Sequence, residues 1–248
     1  MSIFFFSEFY SFYEDADHYW DFNLPNNIVD NITSQQGSFS GDVIAKRSPT
    51  GNGLRVGLKA VINPLPEFGD ECPVNPSLCT QGLTVSVFIK VMESEESDRH
   101  DHDREDKFLF GNINRDSHHI GDYNGFAVAV KGDRFQIIVN SQNHVCSSYR
   151  ASIRRYLWSH LVFTWKDPGL PGGGLEIFVD SSRIFWKFNN DCDRNTGNRT
   201  LLRHLKIGSQ DDDHSITAEL DHLAIWYQSF QANNSILTAP WVHVRGKV

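Results

Sequence analysis

Alternation of apolar and polar residues is the feature that most restricts how this chain can fold. Between residues 83 and 91 the odd positions hold Leu, Val, Val, Ile and Val, whereas positions 84, 86 and 90 hold Thr, Ser and Lys. A period of two sends alternate side chains to opposite faces, as in an antiparallel strand with one face in the core. Phe88 interrupts the polar face. The pattern predicts a half-buried strand.

The alternation recurs in four further segments, which are separated by turn-forming residues. The segments are 126–130, 135–139, 157–165 and 175–179. Gly132-Asp133 predicts a tight hairpin, and the Gly- and Pro-rich residues 167–174 predict a longer loop. About a dozen short strands in one unit curl or split into two packed sheets. We therefore expect an all-β antiparallel sandwich with few short helices, one of them a turn near residues 228–236.

Charge and hydropathy exclude two classes of partner. The net charge is −8 and basic residues are not clustered, which argues against nucleic acid. No apolar run approaches the roughly 20 residues that cross a bilayer, so this chain is not expected to insert directly into a membrane. Residues 93–107 hold eight acidic and three basic residues and predict a solvated loop. Residues 1–15 and 231–248 fall outside the alternation, so we expect an N-terminal extension and a C-terminal tail around one domain, 16–230.

The four cysteines predict two disulfide bonds. Cys72 and Cys79 flank a short turn-rich segment, and pairing them leaves Cys146 with Cys192. Of the three possible pairings, this one requires the least rearrangement of the chain. A zinc site would need closer spacing. The alternative is four reduced thiols in a cytosolic protein.

Three N-glycosylation acceptor sequences favour an extracellular protein. Their asparagines are Asn31, Asn198 and Asn233. The N-terminus has no positively charged region and meets Glu8 early, so no signal peptide is visible. We expect the chain to be part of a larger ectodomain, at the cell surface or in the matrix.

Several segments, taken in order, resemble one known fold family. Residues 16–22 and 82–90 are similar to its first and central strands, and Tyr156-Leu-Trp-Ser-His-Leu-Val-Phe-Thr-Trp165 followed by Gly174-Leu-Glu-Ile-Phe-Val-Asp180 is the core of the match. Leu205-Lys-Ile-Gly208 and 218–226 are similar to its closing strands. The set resembles the laminin G-like and pentraxin-like domains of the concanavalin A-like lectin/glucanase superfamily. Ser181 and Ser182 depart from the glycine usual after the Val-Asp pair, so a different hairpin turn is expected there.

The resemblance covers residues 16–230 and implies a jelly roll with a binding function. Such domains act as non-catalytic recognition or adhesion modules of larger receptors and matrix proteins, where they bind glycans or proteins. Many bind calcium at the rim of the sandwich, through oxygen ligands. Two acidic loops are candidates for that site, and their residues are Asp211, Asp212, Asp213, Asp116 and Asp122. The alternative for the aspartate run is a solvated turn.

A glycan-cleaving hydrolase is the alternative from the same superfamily. Glu219-Leu-Asp221 is similar to the catalytic strand of laminarinase-type enzymes. Those enzymes carry a third carboxylate on the strand, at a position where this chain has Leu223 or Ala224. Glu176 and Asp180 share a face but lie four strand residues, about 13 Å, apart, too far for a glycosidase pair. We therefore expect no enzymatic activity.

Two further features bear on function. His160 follows Ser159, but neighbours on a strand face opposite ways, so we expect a structural histidine. Phe185-Trp186 or Trp241 is a candidate exposed platform for a sugar or a protein. A domain without any ligand, serving as a structural spacer, is the third possibility.

Overall fold

The computed structural model describes residues 13–23, 28–63, 68, 72–92, 106–113, 123–188, 192–194, 200–201, 203–209 and 215–230. Within these ranges the chain forms seventeen strands and one short 3₁₀ helix, Pro76–Leu78. The strands are β1 (His18–Trp20), β2 (Ser38–Ser40), β3 (Val43–Arg47), β4 (Asn52–Val56), β5 (Val61–Asn63), β6 (Leu83–Val91), β7 (Lys107–Gly111), β8 (Tyr123–Lys131), β9 (Arg134–Asn140), β10 (His144–Ser152), β11 (Ser159–Lys166), β12 (Gly174–Val179), β13 (Ser182–Phe188), β14 (Asp193–Arg194), β15 (Thr200–Leu201), β16 (Lys206–Ile207) and β17 (Ala218–Trp226).

The strands form two sheets packed face to face. The first sheet has the order β13-β12-β11-β6-β17-β4-β3, with β1 paired to β17. The second has the order β14-β10-β9-β8-β7-β16-β5-β2, with β15 paired to β8. Apart from the parallel β15–β8 pair, the named strands pair antiparallel. This confirms the predicted all-β sandwich.

The core lies between the sheets and is built from the side chains that alternation directs inward. On β6 these are the odd-numbered residues, Leu83 to Val91, each at most 1% exposed. Trp20 and Trp165 join the same central cluster. Trp226 is equally buried but belongs to a smaller cluster with Tyr13 and Tyr19, on the opposite face of the first sheet. Trp165 and Trp226 are thus both buried, one on each face of that sheet.

Two hairpin turns are set by residues with positive φ. Gly132 (φ 57) begins the two-residue turn between β8 and β9, as predicted. Between β12 and β13 both turn residues, Asp180 (φ 50) and Ser181 (φ 66), are left-handed. Two left-handed central residues define the type I′ turn, which matches the twist of paired strands. The departure from glycine is therefore accommodated by Asp and Ser themselves.

Two boundaries differ from the sequence prediction. Strand β11 begins at Ser159, and Leu157 lies in the preceding turn, because the Tyr156 amide (φ 63) donates a hydrogen bond to the Val91 carbonyl. In the segment predicted as a helical turn, the described residues, 228–230, are extended. Their backbone bonds to strand side chains: the Thr84 hydroxyl donates to the Gln228 carbonyl, and Phe230 donates to Thr84 and Thr164. Residues 231–236 lie outside the described part.

Candidate functional site

The outward face of the first sheet carries an unusual set of buried polar groups. We call it the outer face, meaning the side chains of the first sheet that point away from the core. Its buried members are Thr84, Ser86, Phe88, His160, Val162, Thr164, Phe178, Glu219, Asp221, Ala224 and Trp226. The face includes Glu176, Glu219 and Asp221, three of the four carboxylates considered above for a hydrolase, so its geometry tests that possibility. The fourth, Asp180, lies in the β12–β13 turn, where its Oδ1 accepts a hydrogen bond from the His160 amide.

Glu219 is held in a network of charges across three strands. Glu219 on β17 pairs with Arg55 on β4 and with Lys90 on β6. The Arg55 Nε donates to Glu219 Oε1 at 3.0 Å, and Lys90 Nζ donates to Oε2 at 3.0 Å. Both carboxylate oxygens are therefore engaged by cations. Because Glu219 is only 2% exposed, this arrangement is structural and does not present the carboxylate to a substrate.

Replacing Glu219 with glutamine is expected to lower the free energy of unfolding by about 1 kcal/mol. The substitution leaves Arg55 and Lys90 without a counter-charge, and hydrogen bonds to charged groups contribute roughly 1.5–3 kcal/mol when well shielded. The two cations are 28% and 22% exposed, so solvent screening reduces the effect. Urea unfolding at pH 7 measures it, and unchanged stability would show that the network contributes nothing.

Asp221 is fully buried beside two hydroxyl groups. Ser48 and Thr50 both donate hydrogen bonds to its Oδ2, and the His222 amide donates to its Oδ1 at 2.9 Å. Burial raises the pKa of Asp221 to about 7, against the lowering effect of these hydrogen bonds. The carboxyl is enclosed by the protein's own donors.

A bulge in β17 decides which residue follows Asp221 on the outer face. The register shifts between Asp221 and Ala224, and His222 adopts φ 48. As a result Ala224, paired with Ser86, shares the outer face with Asp221, paired with Phe88. At the position of the third carboxylate in laminarinase-type enzymes, this chain therefore has only the methyl group of Ala224.

His160, which follows Ser159 in sequence, contacts a different serine, Ser86, on the neighbouring strand β6. His160 Nε2 lies 2.7 Å from the Ser86 hydroxyl, and its ring stacks on Phe88 at 4.8 Å. Burial, reinforced by nearby His222, lowers the pKa of His160 to about 3. Ser86 is 0% exposed, so this Ser–His pair has no access for a substrate.

Tyr13, within the segment expected to be an extension, packs onto the outer face. Its ring stacks on Tyr19 at 4.6 Å and on His222 at 5.4 Å. The Tyr19 hydroxyl also hydrogen-bonds to His222 Nδ1. Burial raises the pKa of Tyr13, and burial lowers the pKa of His222 to about 4. The contacts bind residue 13 to the sandwich.

At its β13 edge the outer face is exposed to solvent. Trp186 is 53% exposed, and the Arg183 guanidinium lies over its ring, 4.9 Å from the centroid. Glu176 on β12 is the register partner of Trp186, and its Oε2 is 4.0 Å from Arg183 Nη1. We call these three residues the Trp186 platform. Of the predicted pair, Trp186 is exposed, whereas Phe185 packs against the core, and Trp241 lies outside the described residues.

Near β1, Asp30 anchors the turn that carries the first glycosylation acceptor. Burial opposes ionisation of Asp30, but hydrogen bonds from His18, the Tyr19 amide, the Ile32 amide and Thr33 hold its pKa below the usual value. His18 also contacts the Tyr227 hydroxyl at 2.7 Å. Asn31 follows Asp30 directly and is exposed. Asn198 and Asn233 fall outside the part of the chain that the structure describes.

The disulfides and the calcium candidates have different outcomes. The chain forms both bridges, Cys72–Cys79 and Cys146–Cys192, and no free cysteine is found in the described ranges. The calcium candidates lie outside those ranges: Asp116, Asp122, Asp211, Asp212 and Asp213. Among the residues that are described, no group of three or more His, Cys, Asp or Glu side chains is arranged to hold a metal.

Comparison with known proteins bears on the fold. No family model matches this sequence, and no curated protein matches it. No helix in the described residues is long and apolar enough to span a bilayer. The binding domain of botulinum neurotoxin serotype G superposes with a TM-score of 0.60 at 11% identity, covering 92% of this chain and 51% of that one.

Two further structures are similar. The binding domain of Paraclostridial Mosquitocidal Protein 1 gives a TM-score of 0.59 at 12% identity, over 84% of this chain and 48% of that one. Domain 4 of AbnA, a GH43 extracellular arabinanase from Geobacillus stearothermophilus, solved with arabinotriose, gives 0.57 at 13% identity, over 91% of this chain and 98% of that one. This chain spans about half of the neurotoxin and mosquitocidal-protein domains and nearly all of the arabinanase domain. Its fold is therefore a two-sheet antiparallel β-sandwich of the kind seen in these three domains.

Proposed function

We propose that this chain is a non-catalytic glycan-recognition module of an extracellular protein. The similarity to arabinanase domain 4 carries the proposal, because that domain is matched over 98% of its length and was solved with a bound trisaccharide. The outer face supports a non-catalytic role. Cations neutralise Glu219, and the hydroxyl groups of Ser48 and Thr50 enclose Asp221. Ala224 stands where laminarinase-type enzymes carry their third carboxylate.

The extracellular setting has its own support. Both disulfides are formed, and such bonds persist in oxidising compartments. Asn31 is exposed on a turn, as a glycosylation acceptor must be. The laminin G-like or pentraxin-like branch, a role in adhesion within a larger receptor or matrix protein, and a calcium ion at the rim are parts of the same proposal. A protein ligand is its alternative, and a hydrolase or a ligand-free spacer would replace it.

The test is calorimetric titration of the disulfide-bonded protein with arabinotriose and a panel of other neutral oligosaccharides, once in calcium and once in a chelator. We expect binding of at least one glycan, with micromolar to millimolar affinity. Binding in calcium alone would support a rim ion. Absence of binding under both conditions would contradict the proposal and favour a spacer or a protein-binding module.

A parallel assay addresses the hydrolase alternative. The wild type and Glu219→Gln are incubated with a β-glucan and with arabinan, and reducing ends are measured. We expect no release by either protein. Hydrolysis by the wild type that Glu219→Gln abolishes would establish an enzyme instead.

A further inference from the structure

We infer that the Trp186 platform, Glu176, Arg183 and Trp186, is the glycan-binding site and that it takes one ring of a neutral sugar chain. This inference rests on the proposed function and adds the position and the ligand class. It is carried by the exposure of the indole and by two polar groups fixed beside it.

Trp186 is exposed at a position where a folded protein ordinarily avoids a large aromatic. Strand β13 ends the first sheet, and exposed apolar edge strands promote aggregation. Ile184, in the same strand, is 41% exposed, so the edge is apolar over more than one side chain. Tryptophan is enriched in recognition surfaces because it combines a large apolar ring with one hydrogen-bond donor.

A bulge brings Arg183 to the same face as Trp186. Phe185 pairs with Ile177, but Arg183 pairs with Phe178, so one residue of β13 is extra. Three residues apart in a regular strand, Arg183 and Trp186 would face opposite ways. Bulges re-aim side chains in this manner at functional sites. Arg183 lies over one face of the ring, and Trp186 is still 53% exposed, so part of the indole remains accessible to a ligand.

Glu176 supplies an acceptor beside the ring. Its side chain is 25% exposed, so the carboxylate is partly accessible, whereas its Oε2 is buried and lies 4.0 Å from Arg183 Nη1. A carboxylate is the strongest acceptor for a hydroxyl group, and a guanidinium is a multiple donor. An acceptor and a donor next to a half-exposed indole match the alternating hydroxyls and apolar C–H face of a sugar ring.

The charge of the platform selects the ligand class. Arg183 and Glu176 contribute +1 and −1, so the platform is neutral. A polyanion such as heparin requires several uncompensated cations. The site therefore favours an uncharged glycan.

The experiment compares Trp186→Ala and Trp186→Phe with Tyr156→Ala. Tyr156 is a matched control because it is another aromatic of similar exposure, 48%, outside the platform. The probes are arabinotriose, the neutral oligosaccharide panel and heparin, and Kd is measured by calorimetry. We expect Trp186→Ala to weaken neutral-glycan binding roughly tenfold or more, Trp186→Phe to weaken it less, and Tyr156→Ala to leave it unchanged.

A second readout does not depend on affinity. The indole N–H resonance that disappears in Trp186→Phe is assigned to Trp186, and it should shift when the sugar is titrated. Circular dichroism and thermal melting check that each variant is folded, which an exposed position favours.

The outcomes separate the two claims. If the wild type binds a neutral glycan and Trp186→Ala binds it equally, the platform is wrong while the proposed function stands. If the wild type binds none of the glycans, both are wrong. Preferential binding of heparin, or binding only of a protein through Trp186, would overturn the neutral-sugar assignment.

Discussion

Replacing both Cys146 and Cys192 with serine is expected to lower the free energy of unfolding by about 4 kcal/mol. The bridge closes a segment of 46 residues between β10 and β14, and the chain-entropy cost of opening such a loop grows with the logarithm of its length. The bond joins neighbouring strands, because Val145 on β10 pairs with Asp193 on β14. Urea unfolding of the wild type and the double variant measures the difference.

The second disulfide provides the matched control. Cys72 and Cys79 are 7 residues apart, so the same relation gives only about 2.5 kcal/mol for their removal. We expect the two double-serine variants to rank in this order. The reverse order would show that local strain or denatured-state structure outweighs loop length.

Acidification from pH 6.5 to pH 4 is expected to destabilise the domain through its buried histidines. His160 and His222 have pKa values of about 3 and about 4, against about 6.5 when unfolded. Between these values the unfolded state binds more protons, so stability falls as the pH falls. In His160→Gln the slope of unfolding free energy against pH should decrease by about 1.4 kcal/mol per pH unit. Urea unfolding at one-unit pH intervals measures the slope.

Asp221 changes the slope of unfolding free energy against pH in the opposite direction, and its variant is therefore the control. Its pKa of about 7 in the folded state exceeds the unfolded value of 3.8, so the folded state binds more protons between them. Over that window acidification through Asp221 stabilises the fold and offsets one histidine. Asp221→Asn should steepen the loss of stability between pH 6.5 and pH 4. A change of slope in the same direction in both variants would contradict the assignment.

Much of the sandwich could be predicted because its determinants are local. The odd-numbered residues of β6 face the core, as their alternation indicates, and the Gly132 turn closes the expected hairpin. The disulfide pairs also match, because chain connectivity restricts which cysteines meet. Trp186 was identified as a candidate platform from its residue type alone, but the sequence offered no reason to place Arg183 beside it.

The buried outer face could not be predicted, because its burial depends on distant partners. Glu219 becomes a structural charge because β4 and β6 bring Arg55 and Lys90 to its sides. His160 finds Ser86 on β6 rather than its own neighbour Ser159. Residue type indicates only that these side chains are polar. The pairing of strands far apart in sequence decides that their hydrogen-bond partners lie within the protein.

The sequence by itself determined the fold class, because a period of two assigns every residue of a regular strand to one of two faces. Tertiary structure decided where that period breaks. The bulges at Asp221–Ala224 in β17 and at Arg183–Phe185 in β13 each insert one residue, which reverses the faces beyond them. One bulge places Ala224 on the outer face, and the other aligns Arg183 with Trp186. Which residue becomes the extra one depends on the hydrogen bonds of the neighbouring strand, and no local pattern in the chain encodes them.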